Sequence, residues 1–211
     1  WRSRQEENEM KIPVDTCNTV IFDLGNVLIR YSEAFCLDQF DFDPDIRERV
    51  ANAVFRSSAW YEGDKGTYGP DDWCDAFIAN DPEIEEEIRL VYDRLCECIQ
   101  PADYTLDLIS WFRERGYRVY YLSNYSEGLY EMTKDRLSFI ETFDGGVFSW
   151  QEKCLKPESQ IYQTLLERYQ IDPAKALFFD DIEENAAAAC REGIHGVVFT
   201  PSVAFDILHN R

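Results

Sequence analysis

The sequence predicts an α/β fold: a parallel sheet with helices on both faces, interrupted by an inserted segment that is helical throughout. Three observations carry this expectation. Apolar runs of strand length recur at Thr19–Leu24, Arg118–Leu122, Gly146–Ser149, Ala176–Phe179 and Gly196–Phe199, and such continuous runs mark strands buried on both faces. Amphipathic helical patterns lie between successive runs, an alternation that builds parallel sheets. Between the first two runs, Ser32–Pro101 reads as helices only, with no convincing strand.

The first strand ends in Asp23, and Gly25 and Asn26 follow as a turn. The clearest helix of the insertion starts at Asp81-Pro82 and ends before Pro101, with Ile84, Ile88, Val91, Leu95 and Ile99 on one face. Its Glu85–Glu87 run is then a solvated face. The next helix has Asp103 at its cap and Gly116 just past its end, and the second strand runs into Ser123 and Asn124. A helix from about Glu158 to Tyr169 carries Pro157 at its first position and Lys156 at its mouth. The fourth strand runs into Asp180 and Asp181, followed by a helix over Glu184–Glu192 closed by Gly193. The organisation is therefore an N-terminal extension over 1–16, a core formed by 17–30 and 102–211, and a helical cap over 31–101.

Bulk composition narrows the partners. A formal net charge of −20, from 41 acidic against 21 basic residues, repels nucleic acid and anionic membranes. Any site for a small phosphate must reverse that field locally, with a divalent cation and a well-placed lysine. Seven cysteines, scattered without CxxC spacing, and no signal-like apolar segment point to reduced thiols in a cytoplasm. His195 and His209 are the only histidines and have no neighbouring ligands for zinc. No apolar run reaches membrane-spanning length.

In an open parallel sheet, ligands bind beyond the carboxyl ends of the strands. Four such positions here carry polar groups: Asp23, Ser123 with Asn124, Lys156, and Asp180 with Asp181. Each alone reads equally as a turn, a cap or a surface lysine. Together, in this order, they are far less expected by chance.

The segments FDLGNVL (Phe22–Leu28), YYLSN (Tyr120–Asn124), Lys156-Pro157 and LFFDDIEEN (Leu177–Asn185) resemble the four motifs of the haloacid dehalogenase-like superfamily. The resemblance covers residues 19–200 and implies a Rossmann-like core with a helical cap between the first and second motifs. FDLGNVL and the DKG at Asp64–Gly66 look most like bacterial α-glucose-1-phosphate phosphatases. The resemblance implies hydrolysis of a small phosphorylated metabolite, a sugar phosphate being favoured, with Mg²⁺ as cofactor. Asp23 would be the nucleophile, forming an aspartyl phosphate. Asp23, Asp181 and the carbonyl of Gly25 would hold the metal, with Asp180 and Asn185 behind them. Ser123 and the Asn124 amide would hold phosphoryl oxygens, and Lys156 would neutralise transition-state charge.

The sequence departs from the family at Gly25, where most of its phosphatases carry a second aspartate as general acid. The backbone ligand survives and the acid does not. Residues two apart in a strand face the same way, so the loss leaves a gap beside Asp23. Asp64 or Lys65 of the cap is the expected substitute at the leaving group. Trp60, together with Tyr61, Tyr68 and Trp73, either stacks on a sugar ring or builds a small cap core, the core being the commoner use of clustered aromatics. Two rival readings follow: a metal-free dehalogenase using Asp23 on carbon, and a non-catalytic module that grips a phosphorylated ligand.

Overall fold

The computed structural model describes residues 12–209. Residues 1–11 of the extension lie outside that range. Ile12 and Val14 pack against the core, and Tyr117 donates its hydroxyl to the Val14 carbonyl.

Strand β1 (Thr19–Phe22) is wholly buried and ends one residue before Asp23, whose amide continues the ladder to the Phe179 carbonyl at 2.9 Å. Beyond the turn, β2 (Ile29–Arg30) pairs antiparallel with β3 (Gln100–Pro101). The second of these is a strand within the stretch expected to be purely helical. Two-residue strands are too short to show a period of two, so nothing in the pattern announces them.

Between β2 and β3 run α1 (Glu33–Leu37), α2 (Pro44–Ala53), α3 (Ser58–Asp64), α4 (Pro70–Asn80) and α5 (Glu85–Asp93). Helix α2 starts as its sequence dictates: Asp43 accepts from the amides of Asp45 and Ile46, and Pro44 occupies the first turn. The long helix expected after Asp81 is instead three pieces, α5 flanked by 3₁₀ turns at Pro82–Ile84 and Leu95–Cys98. All five of its apolar residues are buried nonetheless. Spacings of three and four residues suit both helix types, so the pattern survives where the continuity fails.

Helix α6 (Thr105–Glu114) has Tyr104 at its N-cap; Asp103 is drawn away to an ion pair with Arg30. Gly116, at φ +80°, closes it. Strand β4 (Arg118–Ser123) leads to α7 (Glu127–Thr133), capped by the Ser126 hydroxyl, and then to β5 (Gly145–Phe148) and α8 (Ser149–Glu152). Pro157 follows a cis peptide and lies outside α9 (Ser159–Tyr169), where Glu158 is the N-cap. Strand β6 (Ala176–Asp180), α10 (Glu183–Arg191), β7 (His195–Val198) and α11 (Pro201–His209) complete the chain. The last helix was not expected, although Ala204 and Ile207 have helical spacing and are buried.

The main sheet has the order β5-β4-β1-β6-β7 with every pair parallel. Val20, Phe22, Val119, Leu177 and Phe179 face one side with residues of α6, α11 and the cap. Ile21, Tyr120, Leu122 and Phe178 face the other with residues of α9 and α10. Both faces are covered, as continuous apolar strands require. The strand order reverses beside β1, which opens a crevice at the carboxyl ends of β1 and β6.

Trp60 packs against Tyr31, Phe55, Trp73 and Phe77, with ring centroids 5.3–6.1 Å apart, so Trp60 and Trp73 are part of the cap's core, while Tyr61 is exposed. Not all thiols are free: Cys36 and Cys98 form a disulfide with Cα atoms 5.1 Å apart. Sequence separation hid this pair, which α1 and the turn before β3 bring side by side. Among the described residues no helix is long and apolar enough to cross a membrane.

Candidate active site

Asp23, Asp180 and Asp181 meet at the crevice, each offering an oxygen, all within 4.8 Å of one another. The parallel register explains the meeting: Phe22 pairs with Phe179, so the residues that follow on β1 and β6 emerge together. Between two of these carboxylates lies the Lys156 ammonium, 2.9 Å from Asp23 Oδ1 and 2.6 Å from Asp180 Oδ2. Lys156 is 4% exposed and Asp180 is fully buried. Burial alone would favour the neutral amine, but the two carboxylates outweigh it and hold the proton on Lys156.

Burial is also the main force on Asp23, pushing its carboxyl up to about 6 against the opposing pull of Lys156, with Asp180 adding to the rise. Three carboxylates against one ammonium leave a net negative site. The donor set is all oxygen, which suits Mg²⁺ rather than a soft metal. A divalent cation would hold Asp23 ionised and reverse the local potential for a phosphate.

The two aspartates of β6 have separate surroundings. Asp180 accepts from the Ile182 amide at 2.9 Å and from Asn185 Nδ2 at 3.1 and 3.2 Å, besides Lys156. Asn185 is fixed in turn by the Tyr162 hydroxyl, which donates to its carbonyl at 2.9 Å. Asp181 accepts from Asn26 Nδ2 at 3.1 Å. Asp180 is thus tied to the protein through both oxygens, and Asp181 keeps more capacity for a ligand.

Asn26 is a site residue that the motif reading passed over. It sits at φ +53°, a conformation asparagine tolerates better than most side chains. Its Oδ1 accepts from the Tyr31 amide at 3.2 Å, bridging Asp181 to the start of the cap. Its position after glycine at a strand end was the available signal. Asn124 uses its side chain to clamp the Lys156 backbone, donating to the carbonyl at 3.0 Å and accepting from the amide at 2.9 Å. Ser123 is buried beside Asp23 and lowers its pKa.

A cavity of about 290 Å³ covers Asp23, bounded by Gly25, Asn124, Lys156, Asp181 and Asn185 below. From the cap side come Tyr31, Trp60, Asp64 and Ile99. Lys65 is absent from the lining. A methyl group at Gly25 would meet only Asp23 Oδ2, at 3.9 Å, so the gap left by the missing side chain is real space.

The model of the haloacid dehalogenase-like hydrolases matches residues 17–192. The chain belongs to this family. A sesquiterpene phosphatase of Aspergillus oryzae is 24% identical to this haloacid dehalogenase-like hydrolase over 90% of the chain and 93% of the relative. A family enzyme of Bacteroides thetaiotaomicron, solved in complex with magnesium and inorganic phosphate, is 24% identical, with a TM-score of 0.67 over 84% of this chain and 91% of that one. A dehalogenase solved with an intermediate complex superimposes at a TM-score of 0.66 with 15% identity, over 85% and 83% of the two chains. The fold is common to both chemistries, so the choice between them rests on the side chains of the crevice.

Proposed function

We propose that this hydrolase is a Mg²⁺-dependent phosphatase acting on a small phosphorylated metabolite through an aspartyl phosphate on Asp23. The observation that carries the reading is the gathering of Asp23, Asp180 and Asp181 around one point with a buried, charged Lys156 beside them. Attack at carbon needs no such acid cluster.

Asp23 and Asp181, with the Gly25 carbonyl, would hold Mg²⁺, which supplies charge neutralisation for the phosphoryl group when bound. An Asp23 oxygen attacks phosphorus, and Lys156 offsets the charge that grows on the equatorial oxygens. Ser123 and the Asn124 amide orient the phosphoryl group. Asp180, held by Asn185 and the Ile182 amide, fixes Lys156 rather than touching substrate.

A sugar phosphate is the substrate class favoured by the motifs. The cavity walls Ile29, Tyr31, Trp60, Ile99 and Leu129 favour a second class, the phosphate ester of an alcohol with a hydrocarbon or aromatic face. The named activity of the Aspergillus relative supports it. Rates on a hexose 1-phosphate and on farnesyl monophosphate, with Mg²⁺ present, separate the two.

EDTA is expected to abolish ester hydrolysis, and added Mg²⁺ to restore it. Chelation should also lower Tm in a manner reversed by Mg²⁺, because an ion bound only to the folded state stabilises it. Halide release unaffected by EDTA would instead establish the dehalogenase. Ligand binding with no turnover on any ester would leave the binding module.

Gly25→Asp is expected to shift selectivity toward alkyl over aryl phosphates, since only the former need strong leaving-group protonation. A Cβ added at Gly25 meets only Asp23 Oδ2, at 3.9 Å. An unchanged alkyl-to-aryl ratio would mean that another residue already supplies the proton in full.

A further inference from the structure

We infer that Asp64, delivered by α3 of the cap, is the acid that protonates the leaving oxygen in place of the side chain absent at Gly25; the inference rests on the phosphatase reading above. Asp64 lines the cavity over Asp23. It stands at the last position of α3, one turn after Trp60, so the two side chains share a helix face. Its place in the site is set by the core rather than by the cap alone. The Ser149 hydroxyl donates to the Asp64 carbonyl at 2.5 Å and accepts from the Tyr125 amide at 2.9 Å. Two residues on, Lys153 Nζ donates to the Gly66 carbonyl. These bonds pin the end of α3 against the sheet and hold the carboxyl over the nucleophile.

The surroundings keep that carboxyl protonated near neutrality. Burial foremost, then the charge of Asp23, push it up to about 8, while Lys156 and the nearby Trp60 indole draw it back. Tyr31 and Tyr125 are the other titratable groups that sense its charge. A neutral carboxylic acid facing a charged nucleophile is the pairing that acid-assisted phosphoryl transfer needs.

The steps balance as follows. An Asp23 oxygen bonds to phosphorus as the phosphorus–ester oxygen bond breaks, and the departing oxygen takes the bonding pair and the Asp64 proton. Alcohol leaves, with Asp23 phosphorylated and Asp64 ionised. Water then attacks phosphorus as the bond from phosphorus to the Asp23 oxygen breaks, the bonding pair returning to the carboxylate, and gives its proton to Asp64; inorganic phosphate leaves and both side chains are restored.

The test is Asp64→Asn, close in shape, assayed with an alkyl phosphate and with p-nitrophenyl phosphate. The alkyl rate is expected to fall about 10²- to 10⁴-fold, and the aryl rate to fall at least about tenfold less, because nitrophenolate departs without a proton. Asp64→Glu should recover part of the alkyl rate, as should adding Gly25→Asp to Asp64→Asn. Equal losses on both esters would overturn the assignment while leaving the phosphatase reading intact. No turnover of either ester by the wild-type enzyme with Mg²⁺ would overturn the phosphatase reading itself, and this inference with it.

Discussion

Asp23→Asn is expected to reduce kcat by about 10⁴-fold or more, the scale on which loss of a covalent nucleophile registers. The amide keeps the side chain's shape and still accepts from Lys156, which lies 2.9 Å away, so the fold and the cavity should persist. What disappears is the oxygen that bonds to phosphorus. Acid-quenched wild-type enzyme, mixed with substrate and Mg²⁺, should carry a phosphoryl group on the peptide containing Asp23, and the variant should carry none. A variant that kept its rate within about tenfold would move the reaction to a directly attacking water.

The second large effect is on stability. Lys156→Met is expected to cost about 3–5 kcal/mol in Mg²⁺-free buffer, because removing one partner of a buried ion pair strands the other. Here two carboxylates are stranded, one of them fully buried. The pH dependence has a definite sign. Asp23 already titrates above its ordinary value, and without the ammonium it rises further. Such a group stabilises the fold below its unfolded pKa and loses that contribution as pH climbs through the folded one. The deficit of Lys156→Met should therefore be smallest near pH 4 and grow toward pH 8, as read by urea denaturation at each pH. Adding Asp180→Asn should recover part of it. A deficit independent of pH would mean that packing of the lysine stem, not charge, is at stake.

Much of the site was legible because strand ends announce themselves. A continuous apolar run that stops at an aspartate needs no tertiary information, and Asp23, Ser123 and Asp180 were found that way. Their convergence depends on register, which places Phe22 opposite Phe179 and which no local pattern encodes. Asp103 shows the opposite failure: a plausible cap residue was claimed by Arg30, distant in sequence. The break between α5 and its flanking 3₁₀ turns was invisible because the burial pattern is the same for either helix. Asp64 and Lys65, adjacent in sequence, looked equivalent until folding placed one in the cavity lining and left the other out of it. Asn26 was passed over because its role, linking Asp181 to the backbone of Tyr31, requires a left-handed turn and a partner, Asp181, that lies far along the chain.

The chain leaves the sheet through β2 and returns through β3, and these two crossings run side by side, with Cys36 and Cys98 joined just beyond them. A segment entered and left at a single doorway can grow, shrink or be exchanged without rethreading the strands that hold Asp23, Lys156 and Asp181. Its freedom ends where Ser149 and Lys153 reach across to Asp64 and Gly66. A transplanted lid would therefore fold on this frame readily, yet it would complete the chemistry only if its own loop met those two side chains.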